Sequence, residues 1–288
     1  KPRQRLGGLS VRSKTAKQRL TQAVVFLLLL VLALSFLYPI FFMGINSFKT
    51  KIEYRKGPFA LPQALDFTNY NLLIRNFKIL DAFGNTFTIA IASVLISVII
   101  AIFASYAFAK LKFTGRTVVY LFILSTMFIP AQVTMIPLYY LMSDLHLNNT
   151  LTSVIIAYVA TSLPGTILLM TTSFSGISDE MIEAATIDGA GYFRIVRKIV
   201  VPMGMAAIAI NIIFNFLGAS NDLFTPMILI QKMEKRTVMV ALAALMNSRG
   251  GDPPYQLAGL MFSALPPLLV YIVFSKFIVK GITVGSIK

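Results

Sequence analysis

Apolar residues in this chain run in long unbroken blocks, not at the two-residue spacing of a half-buried strand or as the narrow stripe of a surface helix. Six blocks, at 23–45, 85–108, 117–141, 152–173, 202–217 and 256–278, are each read as a membrane span. Crossing a hydrocarbon core takes about twenty residues of helix. The fifth is the weakest: polar residues interrupt it, and 223–230 either extends it or re-enters the membrane. Continuous blocks argue against a membrane β-barrel, whose strands alternate apolar and polar positions. The predicted fold is an all-α membrane protein of six transmembrane helices. Its transmembrane domain covers 23–280, between a basic tail at 1–22 and a short tail at 281–288.

Composition agrees, since 57% of residues are hydrophobic and only 13% charged, outside the range of a soluble globular chain. The first apolar block is too long for a cleavable signal, and Tyr38-Pro39 lies where a small-residue cleavage site would be sought. It is expected to remain as a helix. The chain opens on Lys1 rather than methionine, which points to a truncated N-terminus. Lysine and arginine near the span ends set the orientation. Lys1, Arg3, Arg5, Arg12, Lys14, Lys17 and Arg19 place the N-terminal tail in the cytoplasm, and the basic 110–116 loop with it. The 142–149 loop, without lysine or arginine, faces outward; the C-terminal tail, with Lys276, Lys280 and Lys288 near it, faces inward. The outer segment 46–82 carries six bases against this rule, which long outer segments obey weakly.

Charge and chemistry narrow the classes further. The net charge of +15 sits largely at inner membrane edges, where anionic lipid attracts it, so no nucleic acid is needed to explain it. The absence of cysteine excludes disulfides and thiolate chemistry, and the single histidine, His146, falls in a short outer loop with a solvent or structural role. No G-x-x-x-x-G-K-[ST] stretch offers a phosphate-cradling loop. No block holds a central Asp, Glu, Lys or Arg, the usual mark of an ion-coupled pump. The chain therefore reads as a transport element driven from outside itself.

The polar interruption at 178–202 carries the most specific pattern. Ser178 is a good helix N-cap, with a hydroxyl able to accept from first-turn amides, and Asp179 and Glu180 suit the positive end of the helix dipole. A short helix over 181–187 then projects Glu183, and Asp188-Gly189 stops it, glycine taking the left-handed conformation. A second helix over 192–198 is predicted, with Phe193, Val196 and Val200 on one side and Arg194, Arg197 and Lys198 largely on others. Pro202 suits the first turn of the next helix.

The skeleton Glu183-Ala184-Ala185, Asp188-Gly189, Ile199 and Pro202 resembles the EAA loop of ABC importer permeases. Tyr106 through Arg116, Pro137-Leu138, Leu163-Pro164, Ser220-Asn221-Asp222-Leu223-Phe224-Thr225-Pro226, Ala264-Leu265-Pro266-Pro267 and the 281–288 tail are similar to carbohydrate-importer permeases of the maltose type. Ser220 stands where that group has tryptophan. The resemblance covers 20–288 and implies the shorter six-helix permease of a pair, with a type I ABC importer fold and an EAA coupling helix in a bacterial or archaeal cytoplasmic membrane. It implies a second homologous permease, two ATPase subunits that carry ATP and Mg, and an external solute-binding protein. This chain then binds no cofactor, and Glu183, Ala184, Ala185, Asp188, Gly189, Ile199 and Pro202 form its ATPase-coupling element. Gly285 to Lys288 would dock toward the ATPases, and Asn221 and Asp222 are candidates for outer partner contact. A saccharide, an oligosaccharide by preference, is the expected cargo. The alternatives are an acidic saccharide, a glycerophosphate compound or an amino acid. A self-sufficient channel is the third class.

Solute-path candidates come from polar residues in apolar blocks. Ser93, Ser97, Ala101 and Ser105 recur every four residues, a spacing that favours close helix packing over solute lining. Asn211 and Asn215 in the fifth block need partners; they bond to neighbouring helices or line a wet path, and both readings stay open. Gln132, Tyr139 and Tyr158 complete the set. Pro130, Pro137, Pro266 and Pro267 are expected to break their spans.

Overall fold

A computed structural model describes residues 16–248 and 252–285, and every regular element among them is a helix. In chain order these are α1 (Ala16–Ser47), α2 (Lys51–Lys56), α3 (Thr68–Phe77), α4 (Ile79–Lys110), α5 (Arg116–Ser125), α6 (Ala131–Asp144) and α7 (Leu151–Ser175). They continue as α8 (Asp179–Ile187), α9 (Tyr192–Ile195), α10 (Val201–Met203), α11 (Met205–Asn221), α12 (Phe224–Leu229), α13 (Val238–Ser248) and α14 (Pro253–Gly285). The tail bases up to Lys14, and Lys288 at the other end, lie outside the described residues.

Four of the six predicted blocks become single helices: α1, α4, α7 and α14 are long and apolar enough to cross a membrane. The other two are bent pairs. Arg116–Phe128 meets Ala131–Asp144 at 101°, and Tyr192–Met203 meets Met205–Asn221 at 79°. The first bend follows from Ile129-Pro130. A residue before proline is pushed out of the helical region, and Ile129 is extended at φ −83°, ψ 118°. The other prolines do not break their helices: Pro137 lies inside α6, and Pro266 and Pro267 lie inside α14. Proline's fixed φ is itself helical, and each loses one backbone bond, so tertiary packing decides whether the helix parts.

The second bend has two local causes. Between α9 and α10 the chain makes a π turn over Val196–Val200, and the Val201 amide donates to Val196 O, five residues back. Pro202 has no amide to give Lys198, and its ring would crowd that carbonyl; the wider turn makes room. Gly204 then lies against Phe174 of α7. A Cβ there would sit 2.2 Å and 2.9 Å from two ring atoms and 3.0 Å from the Val200 carbonyl. Gly204→Val is therefore expected to destabilise the fold by about 1–3 kcal/mol through overpacking, read as a lowered unfolding midpoint in detergent. An unchanged midpoint would mean that Phe174 moves freely aside.

The core lies between α4 and α7, the most extensively packed helix pair. Ser93, Ser97, Ala101 and Ser105 are all buried, and Ser105 donates to Ile167 O of α7 at 3.2 Å. Ala101 and Ser105 therefore pack helices together, while Ser93 and Ser97, buried on the same face, also border a cavity. Val94, Met170, Phe174, Val196, Val200 and Phe216 extend this core down to α9 and α11. α1 stands apart: it packs along α14, and its apolar side chains from Leu20 to Phe41 are exposed.

The 46–82 segment folds over one end of the bundle. Lys49 is fully buried and donates to Gly57 O at 3.0 Å and to Ala60 O. Burial pushes its ammonium below the ordinary lysine value. The helix α13, which the sequence reading did not anticipate, buries Leu242 and Leu245 against Leu73 and Tyr255.

Candidate functional site

Two places gather the predicted residues: the elbow at 178–202 and a cavity with several polar groups in its walls. In the elbow, Ser178 takes the N-cap position of α8, but its hydroxyl donates to a Glu180 carboxylate oxygen at 2.9 Å instead of accepting from an amide. The helix ends as predicted. Gly189 has φ +78°, its amide donates to Thr186 O at 3.0 Å, and the Ala190 amide donates to Ala185 O at 2.9 Å. That bond pair is the Schellman arrangement, which uses up the carbonyls of the last turn.

The two alanines of α8 face different ways. Ala185, with Ile182, packs inward on the core, whereas Ala184 is exposed beside Met181, Glu183 and Ile187. Ile187 is 86% exposed, an apolar side chain with nothing of this chain over it. Asp188 caps the helix at the surface, Ile199 is half-buried on the core, and Pro202 sits in α10 with its ring exposed. The following helix departs from expectation at Phe193, which is exposed. Ile195, Val196 and Val200 form the buried side. The Tyr192 hydroxyl donates to Phe103 O at 2.9 Å and ties α9 to α4.

One residue of this elbow was not singled out from the sequence. Lys110 ends α4 with its side chain only 6% exposed, and its ammonium donates to Ser175 O at 3.3 Å, to Ile177 O, and to Asp179 Oδ1 at 2.6 Å. It joins three helices: the end of α4, the last carbonyls of α7 and the first residue of α8. The hydrogen bond and charge of Lys110 hold the Asp179 carboxyl below its ordinary value.

The cavity, of about 330 Å³, lies among α4, α6, α7, α11 and α12. It brings together Gln132, Tyr158 and Asn215 from the solute-path candidates. Tyr139 is not among its walls and packs instead on the cluster around Met142 and Leu229. Asn211 is buried and donates to Ala207 O of its own helix at 2.9 Å, while Asn215 donates across to Thr166 Oγ1 of α7 at 2.9 Å. The two asparagines therefore behave differently: one closes on its own backbone, and the other bridges helices and lines the cavity.

Asp222 also lines this cavity, whereas Asn221 beside it is exposed. Its carboxylate accepts from the Phe224 amide at 2.9 Å, the Thr225 amide at 3.3 Å and the Tyr158 hydroxyl at 3.1 Å. Asp222 thus starts α12 and pins it to α7. The signal was present in the spacing. Tyr158, Thr161 and Ser162, and likewise Asn215, Gly218 and Asp222, recur at three- and four-residue steps that stack on one helix face. Beyond α12, Asn149 takes φ +60° and its side-chain oxygen accepts from the Gln231 and Lys232 amides at 2.7 Å and 3.1 Å. Asn85 donates to Glu234 O and Arg236 O, and Lys78 pairs with Glu234 at 3.2 Å, so the 230–237 strap is fixed to the start of α4.

Residues 94–283 match the family described as binding-protein-dependent transport system inner membrane component. The osmoprotective compounds uptake permease protein GgtD of Synechocystis is 34% identical over 221 residues, covering 76% of this chain and 74% of its own. The diacetylchitobiose uptake system permease protein NgcG of Streptomyces coelicolor is 29% identical over 282 residues, covering 96% of this chain and 92% of its own. A chain from the crystal structure of a bacterial ABC transporter involved in import of the acidic polysaccharide alginate superposes with a TM-score of 0.77 at 27% identity. That match covers 92% of this chain and 98% of the other.

Proposed function

The chain belongs to the family of binding-protein-dependent transport system inner membrane components, and from that premise we propose that it is the shorter permease of a saccharide importer. As a member of that family it is a multi-pass membrane transport subunit and not an enzyme. Saccharide cargo is supported by relatives named for uptake of diacetylchitobiose and for transport of arabinooligosaccharides, and by the likeness to a permease of the alginate importer. In this reading a second, homologous permease completes the pathway across the bilayer. Two ATPase subunits hold ATP and Mg, and an external solute-binding protein delivers the sugar. Both termini lie in the cytoplasm, and the chain has no partner among nucleic acids.

The observation that carries the reading is the surface of α8. Glu183 projects there among exposed Met181, Ala184 and Ile187, while Ile182, Ala185 and the Lys110 link fasten the same helix to the core. Such a helix can receive a push on one side and pass it on at the other. Glu183, Ala184, Ala185, Asp188, Gly189, Ile199 and Pro202 act as the ATPase-coupling element, and the cavity at Gln132, Tyr158 and Asn215 is this chain's share of the solute path. Asn221, exposed at the end of α11, is offered to a partner on the outer side.

The test is uptake by the purified complex in liposomes, with ATP inside and the solute-binding protein outside. Saccharide should accumulate only when both are present, and Glu183→Ala should weaken ATPase association or uncouple hydrolysis from uptake, lowering transport about tenfold, the equivalent of about 1.4 kcal/mol. Flux through the purified chain alone would overturn the reading in favour of a self-sufficient channel.

A further inference from the structure

Resting on the saccharide reading, we infer that the cavity selects uncharged, hydroxyl-rich sugars and rejects acidic ones. The argument lies in which hydrogen-bonding capacity its walls have left. Ser93 and Ser97 donate to Ala90 O and Val94 O of their own helix, each at 3.1 Å. Thr161 donates to Ala157 O at 2.9 Å and Ser162 to Val159 O at 3.3 Å. One N–H of the Asn215 amide is engaged by Thr166 Oγ1. A hydroxyl whose proton is committed still has a lone pair to offer, and the Asn215 amide keeps its oxygen and its second N–H. The four hydroxyls therefore offer the cavity acceptors, and Asn215 offers an acceptor and a donor.

Asp222 adds a carboxylate to the same wall, and among the described residues none that lines the cavity is lysine, arginine or histidine. Gln132, Thr225 and the second N–H of Asn215 remain as side-chain donors. A neutral sugar meets such a wall well, because each of its hydroxyls can donate. A uronate brings acceptor-only oxygens and a negative charge, which the carboxylate repels. The alginate importer thus shares its fold and saccharide chemistry with this chain, while the cargo of this chain is uncharged.

The experiment uses the complete importer in lipid nanodiscs without its solute-binding protein, so that the cavity alone is read. Ligand-observed saturation-transfer NMR compares maltotriose with trimannuronate. Maltotriose should give a signal that falls at least about fivefold in a Thr161→Val/Ser162→Ala variant, the loss of roughly one hydrogen bond's worth of binding. Trimannuronate should give none with the native cavity and a detectable signal with Asp222→Asn. Equal signals from the two sugars, a trimannuronate signal that Asp222→Asn leaves unchanged, or silence from both would each overturn the inference. The saccharide reading itself is decided separately by liposome uptake: a complex that carries trimannuronate refutes only the charge selection. One that carries no sugar refutes both.

Discussion

Gly189→Val should abolish most ATP-driven uptake while leaving the protein in the membrane. Gly189 has φ +78°, a region where an L-residue costs roughly 1–2 kcal/mol and a β-branched one more. The cost falls on the turn that ends α8. If the backbone relaxes out of the left-handed region, the Gly189 and Ala190 amides leave Thr186 O and Ala185 O, and the chain no longer enters α9 in the same direction. No side chain or backbone atom crowds the position, so the effect is conformational and not steric. Uptake should fall by about tenfold or more, since each 1.4 kcal/mol of misalignment is a factor of ten. Gly189→Asn should retain much more activity, because asparagine tolerates the left-handed region. If valine and asparagine behaved alike, the turn would not be what positions α8.

Lys110→Met is the second large effect. The methionine keeps most of the volume but removes the donor from Ser175 O and Ile177 O at the end of α7. Ser175 O is exposed and can turn to water, but leaving the acceptor of buried Ile177 unpaired costs roughly 1–3 kcal/mol, and the α7–α8 corner loses its tie to α4. A fall in unfolding midpoint and a comparable loss of uptake are expected together, with Lys110→Arg restoring both in part. Asp179→Asn should do far less, because that carboxylate is 76% exposed and exposed ion pairs contribute little. Its pH signature is defined. The carboxyl is held below its ordinary value, so its contribution is present above the unfolded value of about 4 and is lost as pH falls through the lower folded one. The native and Asp179→Asn proteins should differ equally at all pH values from neutral to weakly acidic and converge only in strong acid. Divergence at neutral pH would mean another group titrates with the elbow.

What was legible in the sequence divides along physical lines. Long apolar blocks dictate helix by themselves, so the 85–108 and 152–173 readings fall inside Ile79–Lys110 and Leu151–Ser175. Gly189 was readable because a left-handed stop is a local property of one residue. The bends were legible only in part. A break at Pro130 was expected and is present, but four similar prolines gave the same sequence signal and only Ile129-Pro130 parts a helix, because the surroundings decide the outcome. Gly204 looked unremarkable until Phe174, thirty residues earlier, was found against it. Lys110 reads as an ordinary inner-edge charge, since nothing local reveals that the end of α7 will cover it. Of the solute-path candidates, Gln132, Tyr158 and Asn215 meet in the cavity, while Asn211 and Tyr139 do not. Polarity in an apolar block shows that a partner is needed, but not whether that partner is a ligand or the residue's own backbone.

The π turn at Val196–Val200 gives the elbow a mechanical property of its own. An α-helix advances about 1.5 Å and turns about 100° for each residue, and a π turn holds one residue more than α geometry needs. If that residue passed into regular helix, everything preceding it, α8 included, would screw by one such step relative to α11. If it returned, the step would reverse. The wide turn is thus a thread with one notch of travel, set between α8 and the bend at Gly204 that leads into the cavity helix. If α8 is the coupling surface proposed above, motion arriving there need not stretch or unfold anything to be passed on; it needs only to turn the screw.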